Sequence, residues 1–250
     1  MIKKITFILI TFLLIKNLFS ATDAIKPEQY NFSFKGILGS IDKSSAQRGL
    51  QVYTEICASC HGLKHIAYRN LEDLGYKKKQ INNIAKQFLV DALPDENGEI
   101  KKRNAIYSDS FVDPYPNTEA AKASNNGAYP PDLTLMVKAR KDGANYLRSL
   151  LLGYIDAPDE FDVGEGYYNK YMAGNVIAMP QPLYGDDVVY QDGTIATLEQ
   201  EVLDVVTFLT WASMPELEKR KSSGIKVVIF LIVMTVFFFL SYKRIWKDIK

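Results

Sequence analysis

The sequence predicts a mainly α fold, in which an exported helical domain with long irregular insertions is followed by one C-terminal transmembrane helix. Three observations support this. Apolar runs sit at both ends of the chain, capped helical periodicities bracket its middle, and Pro- and Gly-bearing stretches separate them. At 250 residues there is room for one domain with a sizeable core or two small ones, and a composition 47% hydrophobic and 24% charged excludes collagenous and disordered classes.

In chain order, Lys3 and Lys4 precede an apolar run from Ile5 to Ile15, and small residues follow at Ser20, Ala21 and Ala24. That is the pattern of a secretory signal peptide, assigned to residues 1–21, with cleavage after Ala21 or Ala24 both open. An uncleaved anchor is the alternative, although the run is short for a bilayer. Residues 22–218 form the exported domain. It opens with an irregular arm to Ile41, broken by Pro27, Gly36 and Gly39. Ser44 or Ser45 can cap a helix in which Ala46, Leu50, Tyr53 and Cys57 share a face, and Gly49 near that face would let another helix cross closely. Ile81–Ala92 reads as helical, and Pro94 to Gly98 as a turn or hairpin connection. Asp113 to Asn117 carries two prolines and is extended or turning. Asn145 to Leu152 is a further helix, and Tyr167, Tyr168 and Tyr171 mark a loop leading to Ala178-Met179-Pro180. Thr197 and Gln200 fit a capping box for a helix through Trp211, with Val202, Val205, Val206 and Leu209 as its apolar stripe.

Residues 219–250 are the membrane anchor. Val227 to Tyr242 contains no charge, and Lys226 can snorkel to extend the span. The basic residues on its two flanks balance, so the signal peptide sets the orientation, with the short tail in the cytoplasm. The overall charge of +1 hides a segregation: from Thr22 to Glu218 there are 19 Lys and Arg against 28 Asp and Glu, a net −9. Ala105 to Glu218 alone carries −12. Such a surface suits steering of a basic soluble partner, or simply keeps the domain solvated.

The chemistry lies in Cys57-Ala58-Ser59-Cys60-His61. Two thiols separated by two residues can each add across a haem vinyl group, and the adjacent histidine is then held under the iron. Zinc would need about four ligands, and His65 is the one further Cys or His in the chain. A thioredoxin-like pair would not need the histidine and would sit near a βαβ pattern, which this sequence does not show. One covalently attached haem c, held through two thioethers, is therefore the expected cofactor. The second axial donor is sought among the methionines, because His65 is four residues from His61 and falls on the same side of the ring. Met179 stands before Pro180 and Pro182, which stiffen its loop; Met214, just past the last domain helix, competes. Thioether ligation raises the potential and closes the iron to small molecules, which points to electron transfer. Propionates need cationic or hydroxyl partners. Arg140 and Tyr146 are candidates, although on sequence alone an arginine such as Arg140 is a surface residue more often than not.

In the order signal peptide, CASCHGLKHIAYRNL, NNGAYPPDLTLMVKAR, AMPQPL, QDGTIAT and one C-terminal span, the chain resembles the cytochrome c1 family, the haem subunits of quinol:cytochrome c oxidoreductase (bc1) complexes. The resemblance covers nearly the whole mature chain and implies a cytochrome c-like haem domain. It implies that Cys57 and Cys60 bind the haem, that His61 and Met179 ligate the iron, and that Arg140 and Tyr146 contact the propionates. Asn125, Pro130 and Pro131 would line the pocket. It further implies one-electron transfer from a Rieske iron-sulfur protein to cytochrome c, association with cytochrome b and membrane lipid, and a dimeric complex. The location would be a bacterial inner membrane, single-pass, with the haem domain on the periplasmic side; no nucleic-acid partner is expected. Some relatives carry an extra disulfide, whereas this chain has no cysteine to spare, so its Met179 loop must be held by packing. The complex would be the enzyme, with no catalytic residue on this chain. Within electron transfer, the alternative is a membrane-anchored cytochrome c serving a terminal oxidase. A peroxidase would need an open iron position, and a haem sensor would need a cytoplasmic signalling domain.

Overall fold

The helix that leads to the paired cysteines, α1 (Lys43–Glu55), starts at an aspartate. In this computed structural model, which describes residues 25–248, Asp42 is extended (φ −70, ψ 108) and its carboxylate accepts from Ser44 N at 3.0 Å and Ser45 N at 3.1 Å. The predicted serine cap is therefore displaced to Asp42, because a charged oxygen at the positive end of the helix can hold two free N–H groups. Ser45 instead lies inside the helix and donates to Asp204 Oδ1 at 2.7 Å. The predicted signal peptide falls outside the described residues. The arm is irregular over residues 25–41, and part of it lies along a later helix through Glu28 N to Ser149 Oγ (2.9 Å) and Tyr30 N to Asn145 Oδ1 (3.0 Å).

Beyond the cysteines come a 3-10 segment (Tyr68–Leu74) and α2 (Lys78–Ala85). The helix predicted to reach Ala92 ends early. Leu89–Asp91 is a strand, β1, paired antiparallel with β2 (Lys102–Asn104) in the register Leu89↔Asn104, Val90↔Arg103, Asp91↔Lys102. Phe88, Leu89 and Val90 favour extended backbone, and Asn104 Nδ2 takes up the Lys86 carbonyl at the helix end at 2.7 Å. The connection through Pro94 to Gly98 is a turn, in which Asp95 Oδ1 accepts from Asn97 N (2.9 Å) and Glu99 N (3.0 Å). Then follow α3 (Thr118–Ser124), the single turn α4 (Met136–Ala139) and α5 (Gly143–Leu151), the last close to its predicted span. A small hairpin, β3 (Tyr167–Tyr168) with β4 (Val176–Ile177), precedes the Met179 segment.

The last domain helix, α6 (Leu198–Ser213), is the axis of the core. Thr197 Oγ1 accepts from Gln200 N at 3.3 Å, but the Gln200 side chain donates to Asp204 Oδ2 at 3.0 Å, so half of the predicted capping box forms. Val202, Val205, Val206 and Leu209 are buried as expected, and so are Glu201, Asp204, Thr207 and Thr210. A helix covered on every side must meet most of its polar groups within the protein, and among the described residues Glu201 Oε2 and Trp211 Nε1 alone on this helix are left without a partner. Thr207 donates to Leu203 O and Thr210 to Val206 O, both at 2.8 Å, while Asp204 accepts from Ser45, Arg48 and Gln200. α1 crosses α6 at Gly49, where a Cβ would stand 2.0 Å from the Asp204 carbonyl oxygen and 2.7 Å from Phe208 Cβ. Aromatic rings continue the core from that crossing: Tyr53 with Phe208 (centroids 5.7 Å apart), Tyr53 with Phe111 (6.0 Å), and Phe111 stacked on Tyr68 (4.3 Å).

The final helix, α7 (Leu217–Ile245), has 29 residues and is exposed along its apolar length. At about 1.5 Å per residue it reaches about 43 Å, enough to cross about 30 Å of hydrocarbon. Its apolar part includes the predicted span and, being exposed, is not a core helix.

Candidate haem site

The paired cysteines lie on a tight turn directly after α1. Cys57–Ser59 is a 3-10 turn in which Cys60 N and His61 N both donate to the Cys57 carbonyl, at 3.1 and 2.9 Å. The two cysteines do not form a disulfide with each other, and burial raises the pKa of the Cys57 thiol. Tyr53, on the buried face of α1, donates its hydroxyl to the His61 carbonyl at 3.1 Å, so the helix fixes the turn from behind.

His61 is oriented from across the chain. Its Nδ1 is 2.7 Å from the Pro131 carbonyl oxygen. A carbonyl can only accept, so Nδ1 carries the proton and Nε2 keeps its lone pair. Burial lowers the imidazole pKa, against smaller opposing effects from the Pro131 carbonyl and Asp132, so the neutral ring is favoured. Pro131 is placed by a run of bonds between two strips of backbone. Leu133 N donates to Gly62 O (2.9 Å), Asp132 Oδ2 accepts from Lys64 N (2.9 Å), and Asp132 Oδ1 accepts from Thr134 N (2.9 Å). Gly62 also faces a carboxylate from a third segment: a Cβ there would lie 1.9 Å from Asp113 Oδ1 and 3.3 Å from Asp132 Oδ2. Asp132, Gly62 and Tyr53 thus position the histidine, a role that sequence assigned to none of them, Tyr53 reading only as part of an apolar helix face; the Pro-Pro-Asp run beside the Asn-Gly turn was the available signal.

Asn125 ends α3 and donates from Nδ2 to Ala121 O (2.7 Å) and to Tyr115 Oη (3.1 Å). Asn126 (φ +50) and Gly127 (φ +80) then turn the chain towards Pro130. Asn125 therefore braces the turn that delivers the two prolines. His65 is exposed, as a surface residue would be, with its backbone N–H on Thr134 Oγ1 at 3.4 Å.

Met179 is half-buried, and its carbonyl accepts from Tyr154 Oη at 3.1 Å. The hairpin leading to it is fastened to α5 by Asn169, fully buried, which donates to Leu150 O at 2.7 Å and accepts from Tyr171 N at 3.1 Å. Hydrogen bonds as well as packing thus hold this loop, where packing alone was predicted. Met214 caps the C-terminus of α6 and has its Sδ 3.9 Å from the Arg220 guanidinium, in a cleft shared with Lys138 and Lys219. Tyr146 directs its hydroxyl to Met172 Sδ at 3.7 Å. Arg140 is exposed at the end of α4 and forms no ion pair with a described residue.

The donor set suits haem c. Two thiols on one turn can reach two vinyl groups, a histidine with a free Nε2 can ligate the iron, and a thioether lies in a separately braced loop. No group of three or more His, Cys, Asp and Glu converges among the described residues as a bare-ion site would require.

A family model described as "Cytochrome C1 family" matches residues 32–249. The chain is 42% identical over 238 residues to cytochrome c1 of Rhodospirillum rubrum, covering 88% of this chain and 87% of that protein. It is 43% identical over 236 residues to the "Cytochrome b-c1 complex catalytic subunit, mitochondrial" of Candida albicans, covering 92% of this chain and 81% of that protein. It is also 39% identical over 246 residues to the "Cytochrome b/c1" protein of Bradyrhizobium diazoefficiens, where the match takes in 89% of this chain and 36% of that longer protein.

Proposed function

We propose, from the premise that the chain belongs to the cytochrome c1 family, that it is the haem c-bearing electron carrier of a bc1 complex, exposed on the outer face of a bacterial inner membrane. The family implies an electron carrier with a haem c. The finer assignments are that Cys57 and Cys60 form the two thioether attachments, His61 Nε2 and Met179 Sδ ligate the iron, and electrons pass singly from a Rieske iron-sulfur protein to cytochrome c. Bound there, haem c would supply a one-electron iron couple.

The observation that carries the reading is the contact between His61 Nδ1 and the Pro131 carbonyl at 2.7 Å. It holds a neutral imidazole in one tautomer and one orientation, which is what a fixed axial donor requires. Tyr154 and Asn169 do the corresponding work for the Met179 loop. Arg140 and Tyr146 are assigned to the propionates, with the exposed guanidinium available for charge-assisted bonds. Asn125, Pro130 and Pro131 form the wall on the histidine side. Association with cytochrome b is supported by the names of the Candida and Bradyrhizobium relatives, "Cytochrome b-c1 complex catalytic subunit, mitochondrial" and "Cytochrome b/c1". α7 would anchor the domain in lipid, and a dimeric complex follows the family.

Met179→Leu tests the site. The expected result is that haem stays attached, its potential falls and carbon monoxide binds; an unchanged potential removes Met179 from the ligand set. A reduced-minus-oxidised spectrum of the protein purified from gently solubilised membranes tests the complex. A c-type signal with b-type haem, reducible by quinol, is expected. A c-type signal alone, from a preparation that keeps other complexes intact, would refute the assignment to bc1.

A further inference from the structure

The domain is tied to its own membrane helix by a small closed loop. Lys35 N donates to Phe32 O at 3.1 Å and Ser40 N to Ser33 O at 3.2 Å, which closes the loop at its base. Two glycines make its tight path feasible: Gly36 adopts φ +74, and a Cβ on Gly39 would stand 2.0 Å from the Lys35 carbonyl oxygen. α7 holds the loop from the side. Lys221 Nζ donates to Phe34 O and Gly39 O, both at 2.7 Å, and Glu218 Oε1 accepts from Ile41 N at 2.9 Å.

This bracing presents two apolar side chains to the outside. Ile37 is 75% exposed and Leu38 86% exposed, on a loop whose backbone is fixed. Neither is a stray surface residue, because both line one cleft with Ile225 and Lys226 of α7. Those two residues directly precede Val227, where the uncharged stretch begins. At about 1.5 Å per residue, the loop tip stands within roughly one helical turn of the hydrocarbon edge. Lys226 is exposed at its margin, where a cation can meet lipid phosphates, while Lys35 and Lys221 turn inward, to the Tyr30 carbonyl and to the carbonyls of the loop itself.

We infer that Ile37 and Leu38 are a second membrane contact, seated at the boundary between lipid headgroups and acyl chains beside the α7 anchor. A single span can tilt in the bilayer and carry the attached domain with it. A helix and a braced apolar tip at the same depth define an orientation, so the bonds from Lys221 and Glu218 set the tilt of the domain on the bilayer. Lipid is the occupant because the tip continues the exposed apolar surface of α7 at the same height, beside Ile225 and with Lys226 at its edge. The inference rests on α7 crossing the membrane.

The test is a photo-crosslink in the full chain assembled in its native membrane. p-Benzoylphenylalanine is introduced at Leu38 and, in a separate protein, at Val236 within the span, and adducts are identified by mass spectrometry after irradiation. Phospholipid adducts at both positions are expected. Lipid adducts at Val236 with none at Leu38, or a cross-link from Leu38 to another polypeptide, would overturn the inference while leaving the anchor intact. No lipid adduct at either position would overturn both. If the Leu38 variant fails to assemble, judged by loss of its c-type absorbance, the same substitution at Ile37 replaces it.

Discussion

Gly49→Ala sets two terms of opposite sign against each other at the crossing of α1 and α6. In an exposed helix interior, replacing glycine by alanine stabilises by up to about 1 kcal/mol. Here the new methyl carbon would stand 2.0 Å from the Asp204 carbonyl oxygen, 2.5 Å from its carbonyl carbon and 2.7 Å from Phe208 Cβ, where real Cβ atoms essentially never come under 3.0 Å. The obstructing atoms are mostly backbone, so no rotamer change relieves the contact, and the helices must part by about 1 Å. That movement loosens the Tyr53–Phe208 contact and the bonds from Ser45 and Arg48 to Asp204. Overpacking of this kind costs about 1–3 kcal/mol, and opened gaps forfeit dispersion energy in addition. The expected net effect is a loss of roughly 2 kcal/mol, or about 4–8 °C in melting temperature for a domain of this size. Thermal unfolding of the detergent-solubilised full chain, followed by absorbance of the haem region and by far-ultraviolet circular dichroism, reads it. A melting temperature equal to or above that of the parent would show that propensity outweighs the clash and would refute the crossing as described.

Removing the buried acceptor opposite that crossing should have a larger effect. Asp204→Ala strips Arg48 of a bond at 2.8 Å and leaves the Ser45 and Gln200 donors unmatched, an expected loss of about 3–5 kcal/mol. The double replacement Arg48→Met with Asp204→Leu should destabilise less than Asp204→Ala alone, and denaturant titration of the three proteins decides the order. Glu201 has no exposed surface, and burial, then the neighbouring Asp187, pushes its pKa up to about 7 from an ordinary 4.5. Its folded-state value lies above its unfolded one, so its contribution to stability is complete below about pH 4.5 and is lost as the pH rises through about 7. Glu201→Gln should flatten that fall, so the melting-temperature difference from the parent should change between pH 5 and pH 8; a constant difference would refute the shift. Asp156, Asp159, Glu160 and Asp162 are all exposed, and cytochrome c reduction by the complex should slow as salt rises and when several of them are neutralised. Rates independent of salt would remove steering by this segment.

What the sequence determined by itself was the chemistry and the strongly periodic elements. Cys57, Cys60 and His61 are consecutive enough for one turn to bring them together, and the reading of that turn needs no partner from elsewhere in the chain. The same holds for α5, for α6 with its Thr197 cap, and for α7, whose apolar length is a local property. Gly49 was legible because a glycine on an otherwise apolar helical face has few uses besides close approach. Tertiary structure decided what depends on residues distant in sequence. Ile81–Ala92 has a helical pattern, yet β2 captures its second half as a strand by offering hydrogen bonds that a local reading does not contain. The polar residues of α6 look solvent-facing in a stripe analysis, but α1 supplies Ser45 and Arg48 to Asp204, so the helix is buried all round. Asp42 displaced the serines as cap through the reach of a charged side chain, and Ser45 was thereby free to serve the core. The histidine tautomer likewise depends on Pro131, seventy residues away along the chain, because a hydrogen bond is specified by position in space and sequence specifies position only locally.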